Sequence, residues 1–202
     1  MIAGYDVTAA NYNHRPMSGQ ISLYITGTPD IQASPAMLKA NPGAVLIDQS
    51  PQVTAVDVTA DVFDVERGAI TVAELGQVIP YARAAYKDVK RTGQRSPVVY
   101  ASEINMDAVR SELRSAKLSG TGLFVAHWGI GAAAAEAMIR NSAKDEFPVR
   151  AVQYANGTYC DFDLFDTSWL NTRAARNLTP KAPPGLGIPL TTGNGSRQLL
   201  PG

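Results

Sequence analysis

The chain has only one cysteine, Cys160, and two histidines, His14 and His127. A lone cysteine excludes an internal disulfide and fits folding in a reducing compartment. So few thiols and imidazoles leave a zinc site poorly supplied, and no metal or cofactor is expected. Net charge is also missing: 18 Lys and Arg balance 18 Asp and Glu. That balance offers no electrostatic footprint for nucleic acid or for an anionic membrane surface. No apolar run is long enough to cross a bilayer, so membrane insertion is not expected. The opening residues, Met1-Ile2-Ala3-Gly4-Tyr5-Asp6, carry neither the basic nor the apolar stretch of a secretory leader. Synthesis in the cytoplasm without a signal peptide is the expectation.

What is present is a rhythm. Strand-like runs at 2–7, 21–26, 44–48, 60–66, 97–101, 122–127, 149–154 and 159–165 alternate with helix-like runs at 35–40, 72–90, 106–117 and 130–141. In the longest of the latter, Val72, Leu75, Ile79, Ala82, Tyr86 and Val89 recur at spacings of three and four. Thr71 and Glu74 predict a capping box at its start, and Pro80 predicts a kink within it. This alternation predicts an α/β fold with a largely parallel sheet. Eight strands point to a barrel, yet 202 residues fall short of the ~250 typical of an eight-fold (β/α) barrel. The shortfall has a location. Residues 49–59 show no helical pattern, and Asn156-Gly157 between two strand-like runs signals a hairpin. The expected architecture is therefore a flattened TIM-like barrel of eight strands and about five helices, its last two strands an antiparallel hairpin. An open doubly wound sheet with fewer strands is the alternative.

Acidic residues fall near the ends of these strands. Asp64 and Glu66, two apart, share a face if the strand extends through both, at roughly 6.6 Å along it. Burying two carboxylates so close is costly, and like charges raise the pKa of one of them, which keeps an acid protonated near neutrality. A strand end whose acids face water is the competing reading. Asp6 ends the first strand, and Asp161 and Asp163 share one face of the last. The carboxyl-terminal mouth of a barrel is where such folds place their chemistry.

Read in order, Asp6-Val7-Thr8, Asp64-Val65-Glu66, Val99-Tyr100-Ala101-Ser102, Leu123-Phe124-Val125-Ala126-His127-Trp128, and Gln153-Tyr154 followed by Gly157 and Asp161-Phe162-Asp163-Leu164-Phe165 form a set. This set resembles the family 25 glycoside hydrolases, the peptidoglycan muramidases of bacteria and their phages. More closely, it is similar to a divergent branch of that family found in actinobacteria and actinophages. The resemblance covers roughly residues 2 to 170. It implies cleavage of the β-1,4 bond between N-acetylmuramic acid and N-acetylglucosamine in peptidoglycan or a related cell-surface glycan. It places Glu66 as general acid, Asp64 as the acid that orients the substrate, and Asp6 and Asp161 as flanking carboxylates. The substrate's acetamido group is the nucleophile the family implies.

The sequence departs from that family on the third strand. An aromatic-rich stretch is usual there, and this chain reads Leu46-Ile47-Asp48-Gln49-Ser50, which leaves Asp48 near the expected mouth. Trp128 is a candidate for stacking on a sugar ring, against a default of packing at a strand end. His127 is read as a hydrogen-bonded structural residue before a proton carrier. Tyr5, Gln153, Tyr154 and Asp163 complete the candidate substrate-binding set, with Tyr12 a further cleft candidate; core or rim packing is the default for the three tyrosines, and solvation at a strand end is the competing reading for Asp163.

Residues 171–202 are rich in proline and glycine, including Ala182-Pro183-Pro184-Gly185-Leu186-Gly187, and read as a tail or docking arm after a barrel domain at 1–170. Two functions from different classes follow. One is a hydrolase of the bacterial cell wall. The other is a catalytically inactive barrel that serves a phage virion or injection machine as a structural or glycan-binding part, with protein partners met through the tail.

Overall fold

Short runs of β-branched and aromatic residues build a closed barrel in the computed structural model, which describes residues 1–16, 18–66, 68–88 and 97–171. Its strands are β1 (Ile2–Val7), β2 (Gln20–Tyr24), β3 (Val45–Asp48), β4 (Val62–Asp64), β5 (Val98–Ser102), β6 (Gly122–Ala126), β7 (Val149–Asn156) and β8 (Asp161–Phe165). They pair in chain order, and β8 closes the ring against β1. All neighbours from β1 to β7 are parallel, and β8 is antiparallel to both β7 and β1. Five α-helices accompany the strands among the described residues: α1 (Pro35–Ala40), α2 (Leu75–Asp88), α3 (Met106–Ser115), α4 (Gly131–Asn141) and α5 (Thr167–Asn171). The flattened eight-stranded barrel with an antiparallel last pair is thus the observed fold, and the open sheet is not.

The details explain the short chain. Between β3 and β4 there is only one 3-10 turn, Val53–Ala55, where a full barrel has a helix. At the start of α2, Glu74 accepts both the Thr71 N–H (2.7 Å) and its hydroxyl (2.9 Å), and the helix runs through Pro80 to Asp88. The β7–β8 turn closes with the Gly157 N–H on the Cys160 carbonyl (2.9 Å). A Cβ at Gly157 would lie 2.4 Å from that carbonyl oxygen, so only glycine fits. β8 consequently begins at Asp161, two residues later than expected. β4 is shorter than expected too: it stops at Asp64, because the Glu66 N–H turns back to the Asp64 carboxylate (2.7 Å) instead of joining a ladder. The expected docking arm lies outside the described residues.

Strand side chains alternate between two apolar layers. Leu23, Leu46, Phe63, Val99, Leu123 and Val152 point outward and pack with helix residues such as Leu75, Ile79, Val109 and Ile139. Val45, Ile47, Val62, Val98, Phe124 and Phe165 point inward and fill the barrel. Because β8 runs against the others, its end and α5 reach the amino-terminal face. There Trp169 stacks on Phe165 at 6.4 Å between ring centroids and forms the floor. Phe165 meets Phe124 edge-on at 5.7 Å, and Phe124 meets Tyr100 at 5.1 Å. Each fully buried ring adds about 1.5–3 kcal/mol of apolar burial.

Candidate active site at the barrel mouth

Above this aromatic column the interior turns polar. Register puts Asp6 of β1 opposite Asp161 and Gly4 opposite Asp163 on β8, while Asp163 also faces Gln153 on β7. Across the barrel, Asp64 pairs with Tyr100. Asp6, Asp64, Tyr100, Gln153, Asp161 and Asp163 therefore all belong to the inner face. Asp6, Asp64 and Asp163 are buried, while Glu66 and Asp161 are only half-buried at the rim. Among the described residues none of the five carboxyl groups has a cationic partner.

Hydrogen bonds fix most of them. Asp64 accepts the Glu66 N–H at one oxygen (2.7 Å) and the Gln49 side-chain amide at the other (3.0 Å). Glu66 Oε1 accepts the Ser102 N–H at 2.6 Å, which ties the end of β4 to the end of β5. Asp6 Oδ2 accepts the Tyr24 hydroxyl at 2.9 Å. The Tyr100 hydroxyl donates to Gln153 Oε1 (2.9 Å), and the Trp128 indole N–H donates to the same oxygen (2.7 Å). Trp128 is thereby held across the rim with 49% of its surface exposed.

Burial dominates the electrostatics. It raises Asp64 to about 7, with the Glu66 charge a further contribution, against the hydrogen bonds that lower it. Asp6 also rises to about 7, first through burial and then through the charge of Asp161. Burial pushes Asp163 well above the usual carboxylate range, and Asp6 and Asp161 add to the effect. Asp161 is raised by burial as well, although the Gly157 backbone opposes it. Tyr24 and Tyr100 are held protonated by burial and by the surrounding acids.

The structure brings Asp6, Asp64, Glu66, Gln153, Asp161, Asp163 and Trp128 to one end of the barrel and takes three expected residues elsewhere. Asp48 points to the outer side of β3, where its carboxylate accepts from the Ser50 N–H and hydroxyl and from the Asp57 N–H (2.9, 3.2 and 2.6 Å) and holds the following loop. Gln49, its neighbour, takes the inward place. Tyr5 lies in the outer apolar layer, its hydroxyl on the Pro16 carbonyl (2.8 Å). Tyr154 also packs against that layer, next to a bulge in β7. Tyr12 lines a shallow depression of about 300 Å³ with Ala9, Asn13, Ala36, Met37 and Ala40, which contains none of the carboxylates. His127 pairs with Glu103 at 3.1 Å.

The groups that hold the acids, Tyr24, Gln49 and Ser102, and Tyr100, which holds Gln153, were not among the expected site residues. Sequence reading also missed a rim feature, the stack of His14 on Tyr159 at 4.5 Å, formed between the segment after β1 and the β7–β8 turn. An inward-facing Tyr or Gln among strand residues was the only signal available. Among the described residues no cluster of three or more His, Cys, Asp or Glu is arranged to hold a metal ion, and no helix is long and apolar enough to cross a membrane. The chain matches no known family model, no curated protein and no solved structure.

Proposed function

We propose that the mouth is the active site of a peptidoglycan hydrolase that cleaves the β-1,4 bond between N-acetylmuramic acid and N-acetylglucosamine. One observation carries the reading: Asp64 and Glu66 are locked together at the rim, with Asp64 raised to about 7 and Glu66 half-exposed. Glu66, with one oxygen fixed by Ser102, gives its proton to the leaving glycosidic oxygen. Asp64 takes the acetamido N–H of the substrate as that group attacks the anomeric carbon. A carboxyl group that titrates near neutrality is suited to accept and return a proton. Asp6 and Asp161 supply negative charge toward the oxocarbenium-like transition state. Trp128, with its orientation fixed by Gln153, offers a flat apolar face to a sugar ring.

The resemblance to family 25 glycoside hydrolases supports this reading through Asp6, Asp64, Glu66 and Asp161. The near-complete burial of Asp6, Asp64 and Asp163 (5%, 2% and 0% exposed) favours the second reading, a barrel without catalysis that serves a virion or injection machine. Release of reducing sugars from purified peptidoglycan separates the two. The hydrolase reading requires activity in the native chain that falls at least 100-fold in Glu66→Gln, which keeps shape and loses the transferable proton. Inactivity of both on walls from several actinobacteria sinks it and leaves the attachment role.

A further inference from the structure

Three buried side chains just below the mouth have polar atoms with no hydrogen-bond partner among the described residues: both oxygens of Asp163, Nε2 of Gln153 and Oγ of Ser22. All three are essentially inaccessible, at 0%, 1% and 0% exposure. Asp163 and Gln153 are register partners on β8 and β7, and Ser22 is the register partner of Asp6 on β2. The Gln153 amide is already oriented, since its oxygen accepts from both Tyr100 and Trp128. Only the oxygen end of an amide can accept two such bonds, so the NH₂ end is turned away from them.

An ionised carboxylate in this place is fully buried beside two other carboxyl groups and has no cation near it among the described residues. The titratable groups close enough to act on it are the Asp6 and Asp161 carboxyls, the Tyr100 hydroxyl and the Cys160 thiol, and none of them is a cation. Arg150 on β7 lies at the floor end and pairs with Asp166 at 2.7 Å. α4, outside β7 and β8, carries Glu136 and Arg140, which pair with each other. A neutral carboxylic acid removes that unpaired charge and still matches both neighbours, its carbonyl oxygen accepting from the Gln153 NH₂ and its O–H donating to the Ser22 hydroxyl oxygen, directly or through a water.

We propose that Asp163 is a protonated, water-linked acid beneath the mouth, joined to Gln153 and Ser22 through an internal water, and that it positions Gln153 and through it the Trp128 ring. Three polar partners are what such a water requires. Asp163 touches no substrate in this scheme; it acts by fixing which way the Gln153 amide faces. Neither the protonation of Asp163 nor the positioning of Trp128 depends on hydrolysis, and both can be measured without a glycan.

Infrared difference spectra of the native chain against Asp163→Asn at pH 7 test the protonation state. The expected result is loss of a protonated-carboxyl C=O band in the variant. Loss of ionised-carboxylate bands instead overturns the proposal. Acrylamide quenching of tryptophan fluorescence tests the positioning, because Trp169 is buried and Trp128 is half-exposed. Asp163→Leu removes both hydrogen-bonding atoms and is expected to raise the quenching constant about twofold, whereas Asp163→Asn, neutral and of similar shape, keeps it near native. Equal quenching in native, Leu and Asn chains overturns the positioning role. If the Leu variant does not fold, Asp163→Ala replaces it with the same expectations.

Discussion

The lower and upper halves of the barrel interior are built on the same strands and are chemical opposites. Val62, Val98 and Phe165 line the lower half, while Asp64, Tyr100 and Asp163, each two residues away on the same strand face, line the upper half. Below, the buried inward side chains are apolar and are closed by the Phe165–Trp169 stack. Above, carboxyl groups crowd together without a cation among the described residues. The lower half satisfies the packing and burial that make a barrel stable. The upper half sets desolvated charge against that stability, which is the pattern expected where a fold carries a site. A single pair of residues per strand separates the two regimes.

The contrast is sharpest under mutation of the floor. Phe124→Ala removes a fully buried ring that touches both Tyr100 and Phe165, and should cost about 3–5 kcal/mol in urea unfolding. A cost under 1 kcal/mol breaks the assignment of stability to the lower half.

The upper half should show itself through pH. Aspartates in the unfolded chain release protons near 3.9, whereas folded Asp6 and Asp64 hold theirs to about 7. Between those values the unfolded chain binds fewer protons than the folded one, so stability falls as pH rises. The contribution is complete below about pH 4 and gone once pH has passed 7, on the order of 2–4 kcal/mol per group. Asp30 and Asp166 are lowered and act in the opposite sense. The decisive comparison is therefore native against Asp64→Asn, by thermal melting from pH 4.5 to 7.5: the native chain loses more stability across the range. Parallel curves mean Asp64 is not desolvated in the folded chain. Phe124→Ala should leave the native slope unchanged.

The smallest effect falls on the boundary. Tyr100→Phe keeps the ring on Phe124 and removes its bond to Gln153, at about 0.5–1.5 kcal/mol by urea unfolding. A larger loss places Tyr100 among the structural residues of the lower half.

How far the sequence could be read follows the same division. Alternation of strand and helix patterns, the missing segment at 49–59 and the Asn156-Gly157 hairpin were enough for the barrel, because each rests on local propensity and turn chemistry. Facing direction was harder. On β3 all four residues are buried, so no polar alternation marks which are inward, and Asp48 was preferred to Gln49 by its charge alone. Tyr154 follows the inward Gln153 and so faces outward by simple alternation, and the bulge between Gln153 and Ala155 changes the parity of β7 only after it. Tyr5 sits one residue before Asp6 and therefore faces the other way. Asp6, Asp64, Glu66 and Asp161 were legible because acids near strand ends stand out in an apolar background. Their supports, Tyr24 on β2, Gln49 after β3 and the Ser102 N–H on β5, come from neighbouring segments and are visible only once the ring is closed.

The reversed direction of β8 has a practical consequence. β1 starts at the floor, and β8 with α5 returns there, so Met1 and Asn171 both sit on the face away from the carboxylates. Anchored at Met1 or at Asn171 to a bead, a particle or a neighbouring domain, the barrel would stand with its acidic opening turned outward, like a cup held by its base.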